Sequence, residues 1–208
     1  MKKLILSFML VVISLIANAQ FNIDNPDNRA YFGARLSLDI SNLSTNPDMY
    51  SAGAGFSVGA IYQVPIFMNL YVEPGLSLYY NTYGADIDTY LVSTSSKVKN
   101  FGIKIPINVG YHIDFEKFNI GVFTGPALRI GFLCEEHTKE KIDNHTIKSE
   151  FNLYSGLYNR CDLAWAVGAN VNFKQYYFGI SGDFGLTRQI KGVKSSVNTC
   201  QFTLGYNF

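Results

Sequence analysis

Regular alternation of apolar and polar residues is the feature of this sequence that most constrains its fold. A β-strand places every second side chain on the same face, whereas a helical face recurs every three or four residues. In the first alternating stretch, Phe32 and Leu36 share one face and Arg35 lies on the other. Eight stretches follow this rule, at residues 32–40, 55–63, 70–80, 101–111, 119–130, 162–173, 178–186 and 200–208. The chain is therefore predicted to be all-β.

The composition of the two strand faces indicates which one points outward. The apolar face carries no charge in any of the eight stretches, and the other face is mostly Gly, Ser, Ala and Asn with a few charges. A charge facing lipid at mid-bilayer costs roughly 2–4 kcal/mol, and small polar residues suit the narrow interior of an eight-stranded barrel. A soluble lipocalin-like ligand carrier is the alternative, and its apolar face would point inward. The pattern favours the membrane-spanning barrel.

Aromatic and charged residues follow the same scheme. Charged residues make up 16% of the chain, against roughly 25% in soluble domains. Tyr and Phe recur near strand ends, where a membrane barrel has its aromatic girdles; these are Tyr62, Tyr80, Tyr111, Phe173, Tyr206 and Phe208. Because 17 Lys and Arg nearly balance 16 Asp and Glu, no nucleic-acid partner is expected.

The connections between the stretches alternate in length. Short ones fall near residues 65–69, 113–117 and 174–175, and long ones near 41–52, 81–97, 133–158 and 187–196. Outer-membrane barrels have short periplasmic turns and longer extracellular loops. We therefore expect an eight-stranded antiparallel up-and-down meander in the bacterial outer membrane, surrounded by its lipid, with the N- and C-termini in the periplasm.

The first residues predict secretion. Lys2 and Lys3 precede the apolar run 4–16, and Ala17-Asn18-Ala19 is an A-x-A cleavage site. This order is typical of a signal peptide, and the apolar run is too short for a spanning helix. The expected organisation is a signal peptide at residues 1–19, a short periplasmic segment at 20–29 and an outer-membrane β-barrel domain at 30–208.

Several motifs in this order resemble the PorT-like outer-membrane β-barrel proteins of Bacteroidota. They are Gln20 after the cleavage site, the run 70–76 (LYVEPGL), Ile105-Pro106-Ile107, Gly125-Pro126, Gly185-Leu186-Thr187 and the final Tyr206-Asn207-Phe208. The resemblance implies recognition of the C-terminal aromatic residue by the barrel-assembly machinery, although Thr203 stands where that signal usually has Gly. Beyond that it implies the fold and the location, and we expect the long extracellular loops to meet a secretion or surface protein as a partner.

Seven charged residues are expected to face the lumen: Arg35, Asp39, Glu73, Lys104, Arg129, Asp162 and Asp183. We predict a salt-bridged plug that fills the barrel, with a conducting or catalytic polar core as the alternative. No Ser/His/Asp set converges, because His112 lies at a turn whereas His137 and His145 lie in one loop. The chain is therefore not expected to be an enzyme, and a barrel hydrolase or acyltransferase acting on lipid or peptide is the alternative.

No cofactor and no metal site are expected. The run Cys134-Glu135-Glu136-His137 lacks two properly spaced ligand pairs. The function favoured by these patterns is a structural or interaction role through the long extracellular loops.

The cysteines raise a separate question, because a secreted protein enters an oxidising compartment. Cys134 lies where the fifth strand is expected to close, shortly after stretch 119–130, and Cys161 opens the sixth, directly before stretch 162–173, so they bracket the longest connection. By parity both lie on outward faces of antiparallel neighbours, at a spacing that small adjustments make compatible with a disulfide. A bridge there would contribute about 3 kcal/mol by loop entropy. Three free thiols are the alternative, and in either case Cys200 stays unpaired.

Overall fold

The computed structural model describes residues 30–45, 51–89, 92–142 and 145–208. The expected signal peptide and the segment 20–29 lie outside the described residues. Nine strands are present there: β1 (Tyr31–Thr45), β2 (Gly53–Phe67), β3 (Leu70–Thr89), β4 (Val92–Asp114), β5 (Asn119–Ile142), β6 (His145–Asn152), β7 (Cys161–Phe173), β8 (Tyr176–Gly185) and β9 (Ser195–Asn207). A 3₁₀ turn covers Leu153–Ser155. No helix among the described residues is long and apolar enough to cross a membrane.

Eight of the strands form a closed antiparallel barrel in up-and-down order. Each strand pairs with its sequence neighbour, and β1 closes the ring by pairing with β9. The remaining strand, β6, lies outside the ring. It pairs with the C-terminal part of β5, from Glu135 opposite Asn152 to Ile142 opposite His145. The predicted eight-stranded meander is confirmed, and β6 is an additional element within the predicted long loop 133–158.

The barrel buries its polar face and exposes its apolar face. In β1, the side chains of Leu36 and Leu38 are 54% and 68% exposed, whereas Arg35 and Asp39 are 8% and 1% exposed. The other seven barrel strands show the same alternation over their central parts. This arrangement is the reverse of a soluble barrel and suits an exterior that meets hydrocarbon. The choice of a membrane barrel over a lipocalin-like carrier is confirmed.

Three short connections and both described chain ends lie at one end of the barrel, here called the short-turn end. Met68 and Lys174 have φ angles of 50° and 54°, the left-handed conformation that two-residue hairpin turns require at their first position. The backbone N–H of Phe208 donates to the carbonyl of Phe32 (2.8 Å). The predicted alternation of short and long connections is therefore present.

At the opposite end, here called the long-hairpin end, two predicted loops are largely strand. β3 and β4 pair as far as Thr89 and Val92, and β5 and β6 pair as far as Ile142 and His145. The prediction of loops at 81–97 and 133–158 is wrong in this respect. Outside the apolar band no hydrocarbon selects an apolar outer face, so backbone pairing continues there without the apolar alternation that marks a strand in lipid.

A β-bulge interrupts the pairing of β4 with β5. Phe101 lies opposite Leu133, whereas Gly102 lies opposite Gly131, so Phe132 is the extra residue. The side chains of Phe132 and Leu133 are both exposed, at 46% and 51%. A bulge reverses the facing of every residue that follows it in the strand. Residues of β5 beyond Leu133 therefore have the opposite parity to the one that the sequence pattern suggests.

Candidate functional site

All seven charged residues expected in the lumen lie there, each at most 8% exposed. Nearest the short-turn end, a guanidinium nitrogen of Arg35 is 3.9 Å from a carboxylate oxygen of Glu73. The same guanidinium lies 3.9 Å from the ring centroid of Tyr177, a cation–π distance. These contacts join β1, β3 and β8 across the narrow interior.

The middle layer of the lumen is a hydrogen-bonded network around Lys104. Its ammonium group donates to Asp183 Oδ2 at 2.9 Å and also to the side-chain carbonyl of Gln201. The amide nitrogen of Gln201 donates to Asp39 Oδ1 at 2.9 Å, and Ser57 donates to the same oxygen. Lys104 thus contacts Asp183 directly and is linked to Asp39 through the Gln201 amide. Both carboxylates have hydrogen-bond partners although they are almost fully buried.

The upper layer, toward the long-hairpin end, is built on Arg129 and Asp162. They face each other across β5 and β7 and form an ion pair. Arg129 also donates to the carbonyl of Val197 (2.8 Å), and Asp162 accepts from the hydroxyl of Thr187 (2.6 Å). Each layer thus supplies partners for its charges within the described part of the lumen.

An aromatic cap covers this layer. Its side chains come from the segment after β6 and pack on the inner wall; the buried cluster is Leu43, Tyr83, Val98, Cys134, Leu153, Tyr154, Tyr158 and Val197. The hydroxyl of Tyr154 donates to Asn100 Oδ1 at 2.9 Å, and burial raises the pKa of Tyr154. Gly131 makes room for it, since a Cβ atom there would overlap the Tyr154 hydroxyl.

The alternation of apolar and polar residues does not predict the cap. A signal for it exists, because inward-facing positions that are polar in the middle of the barrel become apolar near the long-hairpin end. Leu43, Val98 and Val197 are such positions, at 0%, 1% and 5% exposure. An apolar inner wall needs an apolar covering, and the segment 153–158 supplies it.

Little free space remains in the lumen. A cavity of about 60 Å³ lies between the Arg35–Glu73 pair and the Lys104–Asp183 pair. A second cavity, of about 10 Å³, lies beside Arg129 under the cap. These volumes admit a few water molecules at most.

The described residues assemble no metal-binding group. No set of three His, Cys, Asp or Glu side chains there is arranged to hold a metal ion. His112 stacks near Tyr71, with ring centroids 4.3 Å apart, toward the short-turn end. His137 lies at the other end of the barrel, 3.7 Å from Glu135. His145 begins β6.

The predicted pairing of Cys134 with Cys161 is wrong. Cys161 faces outward and pairs with Ile130, whereas Cys134 pairs with Asn100 and is fully buried under the cap. The bulge at Phe132 explains the error, because it turns Cys134 from the outward to the inward face. Cys134, Cys161 and Cys200 are all free thiols.

Comparison with known proteins identifies the family. A family model described as an outer membrane protein beta-barrel domain matches residues 18–190. None of the curated proteins matches this chain.

Solved structures show distant likeness in fold. Ail of Yersinia pestis is 12% identical, with 86% of this chain and 99% of that chain covered and a TM-score of 0.41. Neisserial surface protein A is 11% identical, with 86% of this chain and 97% of that chain covered and a TM-score of 0.44. The N-terminal barrel of Pseudomonas aeruginosa OprF is 11% identical, with 86% of this chain and 100% of that chain covered and a TM-score of 0.33. Likeness at this level carries no functional argument.

Proposed function

Because this chain belongs to the outer membrane protein beta-barrel domain family, we propose that it is a sealed barrel whose long hairpins form an interaction surface outside the cell. The family places the protein in the bacterial outer membrane. The observation that carries the proposal is the protrusion of β3, β4, β5 and β6 beyond the apolar band.

The protruding sheet begins where the apolar band ends. Phe101 and Leu133 form the last outward apolar pair on β4 and β5, and the next outward pair is Lys99 with Glu135. Above that level the outward face meets water, whereas Tyr83, Val98 and Cys134 of the inner face are buried under the cap. Among the described residues β6 pairs only with β5, so its other edge offers unpaired backbone N–H and C=O groups. Exposed strand edges are sites where proteins bind extended segments of other chains.

The orientation in the membrane is part of the proposal. Short turns and both ends of the described chain share one end of the barrel, and in outer-membrane barrels this end faces the periplasm. The long hairpins then face the outside of the cell. In this orientation the C-terminal Phe208, which is 73% exposed, is available for recognition by the barrel-assembly machinery.

A sealed lumen supports an interaction role over transport. Ion pairs, the Gln201 network and the aromatic cap occupy the interior in successive layers. A narrow barrel filled with paired side chains is a rigid support, which suits a protein that holds a recognition surface at a fixed height above the membrane. The same filling supports the view that the protein is not an enzyme.

The partner follows from the proposed surface. A component of a secretion system is one partner that the hairpins would meet, and a protein displayed on the cell surface is the other. Both would be engaged from outside, through the protruding sheet.

Site-specific photo-crosslinking in intact cells tests the proposal. A photoreactive amino acid is placed at Thr146 on the β6 edge, and a matched one at Glu116 in the short turn 115–118. We expect protein adducts from position 146 and none of the same mass from position 116. Equal adducts from both positions, or adducts from position 116 alone, would contradict an extracellular interaction surface.

A further inference from the structure

The outer surface of β1 and β9 changes polarity in steps toward the long-hairpin end. Outward-facing residues of the two strands pair as Ile40 with Cys200, Asn42 with Asn198 and Ser44 with Ser196. Over roughly 13 Å of strand, the surface therefore passes from apolar groups to amides and then to hydroxyls. A membrane lipid has the same order of groups, from acyl chain through polar linkage to headgroup.

An apolar groove lies at the lower end of this gradient. Its volume is about 570 Å³, and Gly182 of β8, which has no side chain, forms its floor. Gly182 pairs with Cys200 on one side and with Val167 on the other. Ile180 and Phe184 project from β8 on either side of the glycine and are 50% and 55% exposed. The groove thus opens toward the hydrocarbon near the extracellular edge of the apolar band.

A polar pocket of about 330 Å³ lies beside the upper end of the gradient. It is lined by two cations, Arg188 and Lys194, and by five hydroxyl side chains, those of Ser44, Thr45, Thr187, Ser195 and Ser196. The hydroxyls of Thr187 and Ser195 already donate to Asp162 and to the carbonyl of Val193. The sequence from Leu186 to Ser196 contains no acidic residue. Neither cation of the pocket forms an ion pair with an acidic side chain in the described part of the chain. Guanidinium, ammonium and hydroxyl groups together are the donors that bind phosphate.

We propose that the groove and the pocket form one binding site for a phosphate-bearing lipid of the outer leaflet. Its acyl chain lies along Gly182, and its phosphate lies between Arg188 and Lys194. This inference rests on the proposed orientation, which places the long hairpins outside the cell.

Charge complementarity favours a lipid over a second copy of the chain. Two copies docked through this surface by two-fold symmetry would bring Arg188 and Lys194 of one copy toward the same cations of the other. An anionic lipid instead neutralises both cations and fills the apolar groove at the same time.

Trp165 provides the reporter for a test. It is the single tryptophan of the chain, it is 43% exposed, and it pairs across β7 and β8 with Phe184, which lines the groove. The full mature protein is reconstituted in phosphatidylcholine vesicles. A fixed fraction of the lipid is then replaced by dibrominated phosphatidic acid or by dibrominated phosphatidylcholine with the same chains. Bromine quenches tryptophan fluorescence on contact.

We expect stronger quenching by brominated phosphatidic acid than by brominated phosphatidylcholine. A basic residue near a membrane surface favours an anionic lipid by roughly fivefold. The two cations should therefore give a ratio of binding constants between about 5 and 30. Equal quenching by the two brominated lipids would overturn the proposal.

Three variants separate the contribution of the two cations from that of the groove. Replacing both cations of the pocket with Gln, as Arg188→Gln and Lys194→Gln, should bring the ratio close to one without changing quenching by brominated phosphatidylcholine. The matched control, Lys117→Gln with Lys174→Gln, removes two cations at the periplasmic end and should keep the preference. Gly182→Leu should also lower the ratio. Its Cβ atom meets Phe184 at an ordinary 3.4 Å, so the side chain fills the groove without a clash.

The outcomes also distinguish this site from the proposed interaction surface. The vesicle assay contains no protein partner, so a missing lipid preference leaves the crosslinking result at position 146 untouched. A preference that survives the loss of Arg188 and Lys194 would refute the site. Efficient crosslinking of two copies through Cys200, without lipid preference, would assign the groove to a second copy.

Discussion

Removal of the Lys104 ammonium group tests whether the lumen is held together by its paired charges. Lys104→Met keeps the length of the side chain but leaves the Asp183 carboxylate, 2.9 Å away and 2% exposed, without its cation. Breaking a buried ion pair from one side costs about 3–5 kcal/mol, because the remaining charge stays desolvated. The loss should be near the upper end, since Asp39 is linked to the same cation through Gln201.

The assay is urea unfolding of the purified barrel in detergent micelles, followed by Trp165 fluorescence and by the shift between folded and boiled mobility on gels. With an m-value of about 2 kcal/mol/M, the midpoint should fall by roughly 2 M. The double variant Lys104→Met with Asp183→Asn removes both charges and should recover most of the loss. Lys117→Met, at an exposed turn position, should stay within about 0.5 kcal/mol of the wild type.

Two results would refute this reasoning. A loss of less than about 1 kcal/mol for Lys104→Met would mean that lumen water solvates Asp183 and that the ion pair contributes little. A double variant as unstable as the single one would mean that the side chain of Lys104 acts through packing alone.

Three further predictions follow from the lumen and its cap. Maleimide should modify Cys161 and Cys200 in the folded barrel but spare Cys134, which is fully buried beyond the apolar band and whose pKa is raised to about 12 by burial. Unfolding without reductant should expose three thiols, and a count of one would restore the disulfide. Gly131→Ala should displace Tyr154 and speed proteolysis of the cap at least about fivefold, since overpacking costs roughly 1–3 kcal/mol; unchanged cleavage would contradict the packing. Planar-bilayer recordings should show no steady, large conductance, and an open channel would refute the sealed lumen.

The sequence by itself determined the barrel and its inside-out character. Hydrocarbon penalises every charge on the outer face of a spanning strand. The sequence from Phe32 to Ile40 therefore shows, residue by residue, which side chains of β1 face outward. The seven lumen charges were predictable for the same reason, because a charge in a spanning strand has only the interior available. The two ends of the barrel could be told apart because short and long connections alternate.

Only the tertiary structure decided how the lumen charges pair. Arg129 and Asp162 are direct neighbours across β5 and β7, but Lys104 of β4 reaches Asp183 of β8 across the barrel. That contact depends on the tilt and stagger with which the ring closes, and these are properties of all eight strands together.

The bulge at Phe132 and the covering of the mouth were also decided in three dimensions. Alternation alone does not show that Phe132, next to the apolar Leu133, is an extra residue in the strand. The sequence pattern therefore assigns Cys134 to the wrong face. β6 and the cap lie beyond the bilayer, where water meets the exterior and no lipid enforces a pattern. There, backbone pairing and packing against the inner wall determine the structure, and both involve residues far apart in the chain.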